Sequence, residues 1–292
     1  MARNKIDSSI LDTYAQNTWC PGCFNFVIEG VVKEAILELT KKGLKIEDFV
    51  LVSGIGCHAK IVDYINTNSF YSIHGRVIPV ATGIKLANPN LKVIGFEGDG
   101  DAYNEGIAHL VSAARKNTDI TVVIHDNRVF ALTTGQYTAT SPIGFKGKST
   151  PQGSLERPFN PIELMIASGA TFVARSYAGN PAHLKRILKK AIEHKGFSFV
   201  EVLQPCVSFF NPAKFYNEKI YKLEDINHNS SNYKEALARA REWDYSDSKG
   251  DIPIGIFYQV QRTTYEEMIL KGKKLLNSKI SQKFQEILRE KI

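Results

Sequence analysis

The sequence predicts an α/β protein built on a mostly parallel sheet flanked by helices. Three observations carry that prediction. Short apolar runs alternate with segments in which apolar residues recur every three or four positions. The runs are separated by helical stretches of about 10–15 residues, the spacing of right-handed βαβ units. The 292-residue chain is 43% hydrophobic and 23% charged, the composition of an ordinary globular protein, and is long enough for one large α/β domain or two smaller ones.

The elements follow in order. Val27, Ile28, Val31, Val32, Ala35, Ile36 and Leu39 recur at helical spacing and predict a helix over 25–42. Residues 48–53 read as a short buried strand ending in Gly54-Ile55-Gly56-Cys57. Residues 77–87 read as a helix with the small residues Ala81 and Gly83 on it. The stretch 91–102, LKVIGFEGDGDA, reads as strand, glycine turn and helix, the helix running on through Ile107, Leu110, Val111 and Ala114. Further strands are predicted at 119–127, 171–176 and 197–206, with a helix over 181–194. Residues 133–160 hold four Gly and three Pro with no periodicity and read as a long loop over the strand ends. Residues 207–250 read as irregular or mixed. We expect one α/β domain over 1–215, with 216–292 as a C-terminal extension on the body or on a partner.

Charge and cysteine content narrow the function. The net charge is +7, and 271–292 holds seven Lys/Arg against two Glu. An apolar stripe through Leu275, Leu276, Ile280, Phe284, Ile287 and Leu288 predicts an amphipathic helix there. No nucleic-acid motif accompanies it, so nucleic acid is not an expected partner. No apolar run approaches the roughly 20 residues of a membrane span, and the N-terminus lacks a signal peptide's apolar core. A cytoplasmic, membrane-free protein is expected. Four cysteines in a chain this long make no disulfide framework. Cys20 and Cys23 form a C-x-x-C pair, which suits a redox dithiol, half a zinc site or half an iron–sulfur site.

Ligands on a parallel sheet sit at the carboxyl ends of its strands. Here those ends are 54–58, 98–101, 126–130 and 204–206, and they hold Cys57, Cys206, Gly98-Asp99-Gly100-Asp101 and Asp126-Asn127. Asp99 at one strand tip and Asn127, 28 residues on, can share one hard cation, with the Val129 carbonyl as a third oxygen. Mg²⁺ takes such ligands and leaves positions for phosphate and water. The glycines let a diphosphate approach the backbone.

At this point the residues WCPGC, GIGC, HGR, GDGD, HDNRVFALTTGQ and QPC, read together, resemble the β subunit of the 2-oxoacid:ferredoxin oxidoreductases over about 15–215. The resemblance implies a thiamine-diphosphate-binding fold with thiamine diphosphate, Mg²⁺ and one [4Fe–4S] cluster. It assigns the cluster to Cys20, Cys23, Cys57 and Cys206, the Mg²⁺ to Asp99, Asn127 and Val129, and cofactor contacts to Ile55, Gly56, Cys57, His58, His74, Gly100, Asp101, Ala131 and Leu132. Lys60 would meet the phosphates of coenzyme A, and Leu132 and Thr134 would face substrate. His109 and Arg115 are read as structural. The family usually has Gly after the second cysteine; Phe24 stands there instead and could shield the cluster.

The implied reaction is CoA-dependent oxidative decarboxylation of a 2-oxo acid to acyl-CoA and CO₂, with electrons passing through the cluster to ferredoxin. The glutamate that activates thiamine would come from an α-type, or fused γα, subunit, and the assembly would be a dimer of αβ pairs. The loop 131–136 has no Lys or Arg, which leans toward pyruvate, 2-oxobutyrate or a broad range rather than strict 2-oxoglutarate. Two alternatives stand beside this reading. A non-redox thiamine-dependent decarboxylase or synthase would leave the cysteines idle, and a zinc-binding structural subunit would make GDGD only a turn.

Overall fold

The structure, a computed structural model, describes residues 8–245, 250–271 and position 289. The helix expected over 271–292 therefore lies almost wholly outside the described residues.

In chain order the elements are α1 (Asn25–Thr40), β1 (Phe49–Ser53), α2 (Ile61–Tyr64), β2 (Asn68–Tyr71), α3 (Val77–Ala87), β3 (Lys92–Gly98), α4 (Ile107–Lys116), β4 (Thr121–Asp126), β5 (Val129–Phe130), β6 (Gln136–Tyr137), α5 (Pro161–Ala167), β7 (Phe172–Tyr177), α6 (Pro181–Glu193), β8 (Ser198–Leu203), α7 (Ala213–Lys219), β9 (Ile220–Lys222), α8 (Tyr233–Ala240), β10 (Ile252–Gln259) and α9 (Tyr265–Leu270). Eight strands form one sheet in the order β2-β1-β3-β4-β8-β7-β10-β9. Every neighbouring pair is parallel except β7 with β10. The expected mostly parallel sheet is the one observed.

Both faces of the sheet are covered, which is why β1, β4, β7 and β8 are buried throughout rather than alternating. On one face Ile28, Val32 and Ile36 of α1 and Leu184, Ile187 and Leu188 of α6 pack over Leu51, Phe96, Val123 and Val202. On the other, α3, α4, α5 and α8 cover Val52, Val93, Ile124 and Phe199. Local chemistry sets the helix starts. Asn160 before Pro161 and Asn180 before Pro181 each accept the backbone N–H three residues on, while the proline fills a position that needs no donor.

The structure departs from the sequence reading in four places. The helix after GDGD does not follow the turn directly. A π-helical turn spans Gly100–Glu105, Gly106 breaks it, and α4 begins at Ile107. Gly106 sits so close to the Asp101 and Gly75 carbonyls that a Cβ there would lie 3.1 and 3.2 Å from their oxygens. β2 is an exposed edge strand without alternation, so no periodic signal marks it. The long loop contains β6, paired antiparallel with β5. The region beyond 207 contributes α7, β9 and α8, and the chain then returns as β10 to pair with β7.

Candidate active site

The carboxyl ends of β1, β3 and β4 meet at a cavity of about 70 Å³. Ile55, Gly56, Cys57, His58, His74, Asp99, Gly100 and Asp101 line it from one side; Asn127, Val129, Ala131 and Leu132 line it from the other. Every residue assigned to thiamine diphosphate or Mg²⁺ is thus at one cavity. His109 and Arg115 stand on α4, outside its lining.

Asp101 organises the floor. His58 Nε2 lies 3.0 Å from its Oδ2 and His74 Nδ1 lies 3.0 Å from its Oδ1. The Gly75 amide donates to Oδ1 at 2.6 Å and the Ile55 amide to Oδ2 at 3.3 Å. Burial alone would raise the Asp101 carboxyl, but the His58 and His74 hydrogen bonds hold it well below the usual carboxylate range. Its hydrogen bond in turn raises His74. The glycines of both motifs make room for this knot. A Cβ on Gly54 would stand 1.8 Å from Asp101 Oδ2, and one on Gly98 would stand 2.8 Å from His58 Nδ1. Asp101 thus ties the loops after β1, β2 and β3 together at the cavity wall, where Gly100 also stands, packed on Phe130.

Asp99 is 1% exposed. Its Oδ2 accepts from Thr138 Oγ1 and, at 3.1 Å, from Thr140 Oγ1. Burial pushes Asp99 up to about 6 against those hydrogen bonds. Thr140 Oγ1 also lies 2.8 Å from Asp126 Oδ1, and Asp126 Oδ2 is buried without a hydrogen-bond partner among the described residues. Asn127 Oδ1 accepts from the Val129 amide at 3.1 Å, which fixes the turn that carries both. A buried carboxylate, an amide oxygen and a carbonyl at one cavity are a donor set that fits a hard cation.

The four cysteines surround a second cavity of about 280 Å³, lined also by Trp19, Lys60, Thr134, Gln204 and Phe209. The C-x-x-C turn forms because Gly22 takes φ +77°, letting the Cys23 amide bond the Cys20 carbonyl at 3.0 Å. Trp19 Nε1 donates to the Cys57 carbonyl at 2.6 Å and ties the two cysteine loops together. Burial pushes the Cys23 thiol up to about 11; the Asn25 amide opposes this, and the sulfurs of Cys57, Cys206 and Cys20 add to it. Among the described residues no three Cys, His, Asp or Glu side chains converge as a single ion requires. Four thiols around one roomy cavity are a donor set that fits a [4Fe–4S] cluster. Phe24, which follows Cys23, packs against the body with its ring 6.2 Å from that of Tyr177. The two cavities share Cys57, Asn127, Ala131 and Leu132 as a common wall.

Several site residues escaped the sequence reading. Thr138 and Thr140 hold Asp99 from a loop whose sequence shows no pattern. Arg128, fully buried at φ +63°, donates to the carbonyls of Thr140 at 2.7 Å and Tyr245, and lies 5.2 Å over Phe210 and 5.6 Å over Trp243. An arginine inside HDNRVF was a signal, since buried arginines are rare without partners. Lys148 reaches Thr134 Oγ1 at 2.9 Å, bringing a cation to a loop that has none of its own.

Residues 54–202 match the family described as thiamine pyrophosphate enzyme, C-terminal TPP binding domain. Residues 206–274 match the family that describes the C-terminal part of the pyruvate ferredoxin oxidoreductase beta chain. The chain is 44% identical over 269 residues to the 2-oxoacid:ferredoxin oxidoreductase subunit beta of Saccharolobus solfataricus, covering 87% of this chain and 85% of that one. It is 46% identical over 270 residues to 2-oxoacid:ferredoxin oxidoreductase 1, subunit beta, of Aeropyrum pernix, covering 88% and 82%. A solved structure of 2-oxoglutarate:ferredoxin oxidoreductase from Magnetococcus marinus, with 2-oxoglutarate, coenzyme A and succinyl-CoA bound, superposes with a TM-score of 0.86 at 32% identity, covering 98% of this chain and 96% of that one.

Proposed function

The chain belongs to the β subunits of the 2-oxoacid:ferredoxin oxidoreductases, and from that premise we propose that it carries thiamine diphosphate, Mg²⁺ and one [4Fe–4S] cluster. With these it performs CoA-dependent oxidative decarboxylation of a 2-oxo acid and hands the electrons to ferredoxin. The observation that carries this reading is the common wall: a cavity lined by Asp99 and Asn127 and a cavity lined by all four cysteines meet at Cys57, Asn127, Ala131 and Leu132. An electron source and a cluster separated by one layer of side chains is what one-electron transfer requires. The alternative without redox chemistry leaves the four thiols and their cavity without a use.

Thiamine diphosphate, when bound, supplies the carbanion chemistry. The protein's own residues do the rest. Asp99, Asn127 and the Val129 carbonyl hold the Mg²⁺ that grips the diphosphate. Gly100 lets the backbone come close to it. Asp101, through His58 and His74, keeps the β1 and β3 loops in place. Cys20, Cys23, Cys57 and Cys206 ligate the cluster. Lys60, which lines the cysteine cavity and donates to Thr18 at 2.9 Å, is proposed to meet the phosphates of coenzyme A. Leu132 and Thr134 face the substrate. The coenzyme A and 2-oxoglutarate bound to the Magnetococcus marinus enzyme support this choice of substrates.

A partner subunit is part of the proposal. Phe70 and Tyr71 of edge strand β2 and the adjoining Ile73 are 51%, 43% and 72% exposed, close to His74 at the cavity. Such an apolar strip at the mouth of a cofactor site suits an α-type subunit that brings the activating glutamate and closes the site, in a dimer of αβ pairs. No described helix is long and apolar enough to cross a membrane.

The test is anaerobic co-purification with an α-type subunit, followed by metal analysis and EPR of the reduced complex. Iron near four per β chain with a reduced-cluster signal, and ferredoxin reduction that needs both a 2-oxo acid and coenzyme A, are the expected results. Zinc in place of iron, or four free thiols in an otherwise active thiamine enzyme, would overturn the electron path.

A further inference from the structure

The loop 131–136 rims the cysteine cavity and has no cation in its own sequence. One reaches it from a distant segment. Lys148 Nζ donates to Thr134 Oγ1 at 2.9 Å, and Thr134 lines the cavity with Leu132. The backbone arranges this approach. Gly147 abuts Gly135 so closely that a Cβ on Gly147 would stand 2.4 Å from the Gly135 carbonyl oxygen. The segment carrying Lys148 is closed on itself: Gly144 donates to the Ser154 carbonyl at 2.8 Å, Ser154 to that of Phe145 at 3.0 Å, and Thr150 to that of Gly147 at 3.1 Å. Thr134 meanwhile sits at φ +81°, a conformation that is costly for a β-branched residue. It is held there by the hydrogen bonds of its own amide to Ala131 and of Gly135 to Phe130. Two constrained backbones thus bring an exposed ammonium to the rim, and Lys148 meets no carboxylate among the described residues. Its contact there is one neutral hydroxyl, easily exchanged for an anion.

We propose that Lys148 is a specificity-determining residue that receives the second carboxylate of a dicarboxylic 2-oxo acid at the Thr134 rim. The inference rests on the reading given under Proposed function. It also changes the substrate range read from the 131–136 loop alone: short monocarboxylic acids remain acceptable, and a longer acid gains a counter-ion.

The test uses the assembled αβ enzyme with 2-oxoglutarate and pyruvate as alternative substrates, in wild type, Lys148→Met and Lys148→Arg. Lys148→Met is expected to lower kcat/KM for 2-oxoglutarate about tenfold or more, mainly through KM, with pyruvate changed by less than about twofold and Lys148→Arg recovering most of the loss. An equal loss on both acids, or no loss on either, overturns the inference. So does a rise in the KM for coenzyme A with both acids, which would give Lys148 to the coenzyme's phosphates. Wild-type enzyme that oxidises pyruvate but not 2-oxoglutarate overturns it too and leaves the functional reading intact. Wild type that oxidises neither, with cofactors loaded, defeats the functional reading itself.

Discussion

Glu97 and Glu201 stand in one cross-strand row of the sheet, with Ile124 between them. Both are fully buried. Glu201 is matched on its far side by Arg175, its register partner on β7, whose Nε donates to it at 2.6 Å. The Tyr245 hydroxyl adds bonds of 2.8 and 2.9 Å. Glu97 has neither. On its flank β1 has ended, the chain there is Gly54, and both carboxyl oxygens lack a hydrogen-bond partner among the described residues. Burial first, and Asp101 second, raise the Glu97 carboxyl well above the ordinary glutamate range. The same residue type at the same depth has a guanidinium partner in one place and none among the described residues in the other. The neighbouring strand decides which. Where the sheet is complete, it supplies a partner; where it opens to make the cavity, it supplies none.

Three measurements sharpen or break that contrast. The largest effect is expected from Arg175→Met. It strips Glu201 of its Arg175 partner and should cost about 3–5 kcal/mol in chemical denaturation; a loss below about 1 kcal/mol would mean that the Arg175–Glu201 pair does not hold this part of the sheet. Glu97→Gln should be far milder. A group whose folded pKa is raised gives its full stability below the ordinary glutamate range and loses it as pH climbs toward the folded value. The amide carries no such slope, so the variant should gain on wild type as pH rises from about 4.5 to 8. Parallel stability curves would place a hidden partner on Glu97. The smallest effect belongs to His74→Gln. His74 is raised by Asp101, so its contribution is present below about pH 6.5 and fades above it. The variant should lose that fading step in a Tm-against-pH series, and retention of the step would assign it to another histidine.

The parts of the fold and site that were legible in the sequence are those with a local cause. Parallel strands wrote themselves as apolar runs, and the ligand rule for such sheets placed Gly54–His58, Gly98–Asp101 and Asp126–Phe130 together before any coordinates. The helix over 181–194 was read as α6, whereas α5, which starts at the same kind of Asn-Pro pair, was not. What stayed hidden is what depends on contact alone. β2 is short and exposed, and nothing in its sequence alternates. β10 carries Pro253 and a Gly255 at φ +134°, both of which argue against a strand until β7 is there to pair with it. Thr138, Thr140 and Lys148 lie in a stretch of Gly, Pro, Ser and Thr whose pattern says only that it turns.

Arg128 sets a limit on how the molecule can be divided. It follows Asn127 directly, and its guanidinium is anchored on the carbonyls of Thr140 and Tyr245 between the rings of Phe210 and Trp243. The turn that carries the proposed cation ligands is therefore braced by a residue more than a hundred positions downstream. A fragment cut after the last cysteine would keep every proposed cofactor ligand and lose the brace on that turn. For anyone wishing to graft this centre into a smaller scaffold, the unit to transplant ends beyond Tyr245, not at Cys206.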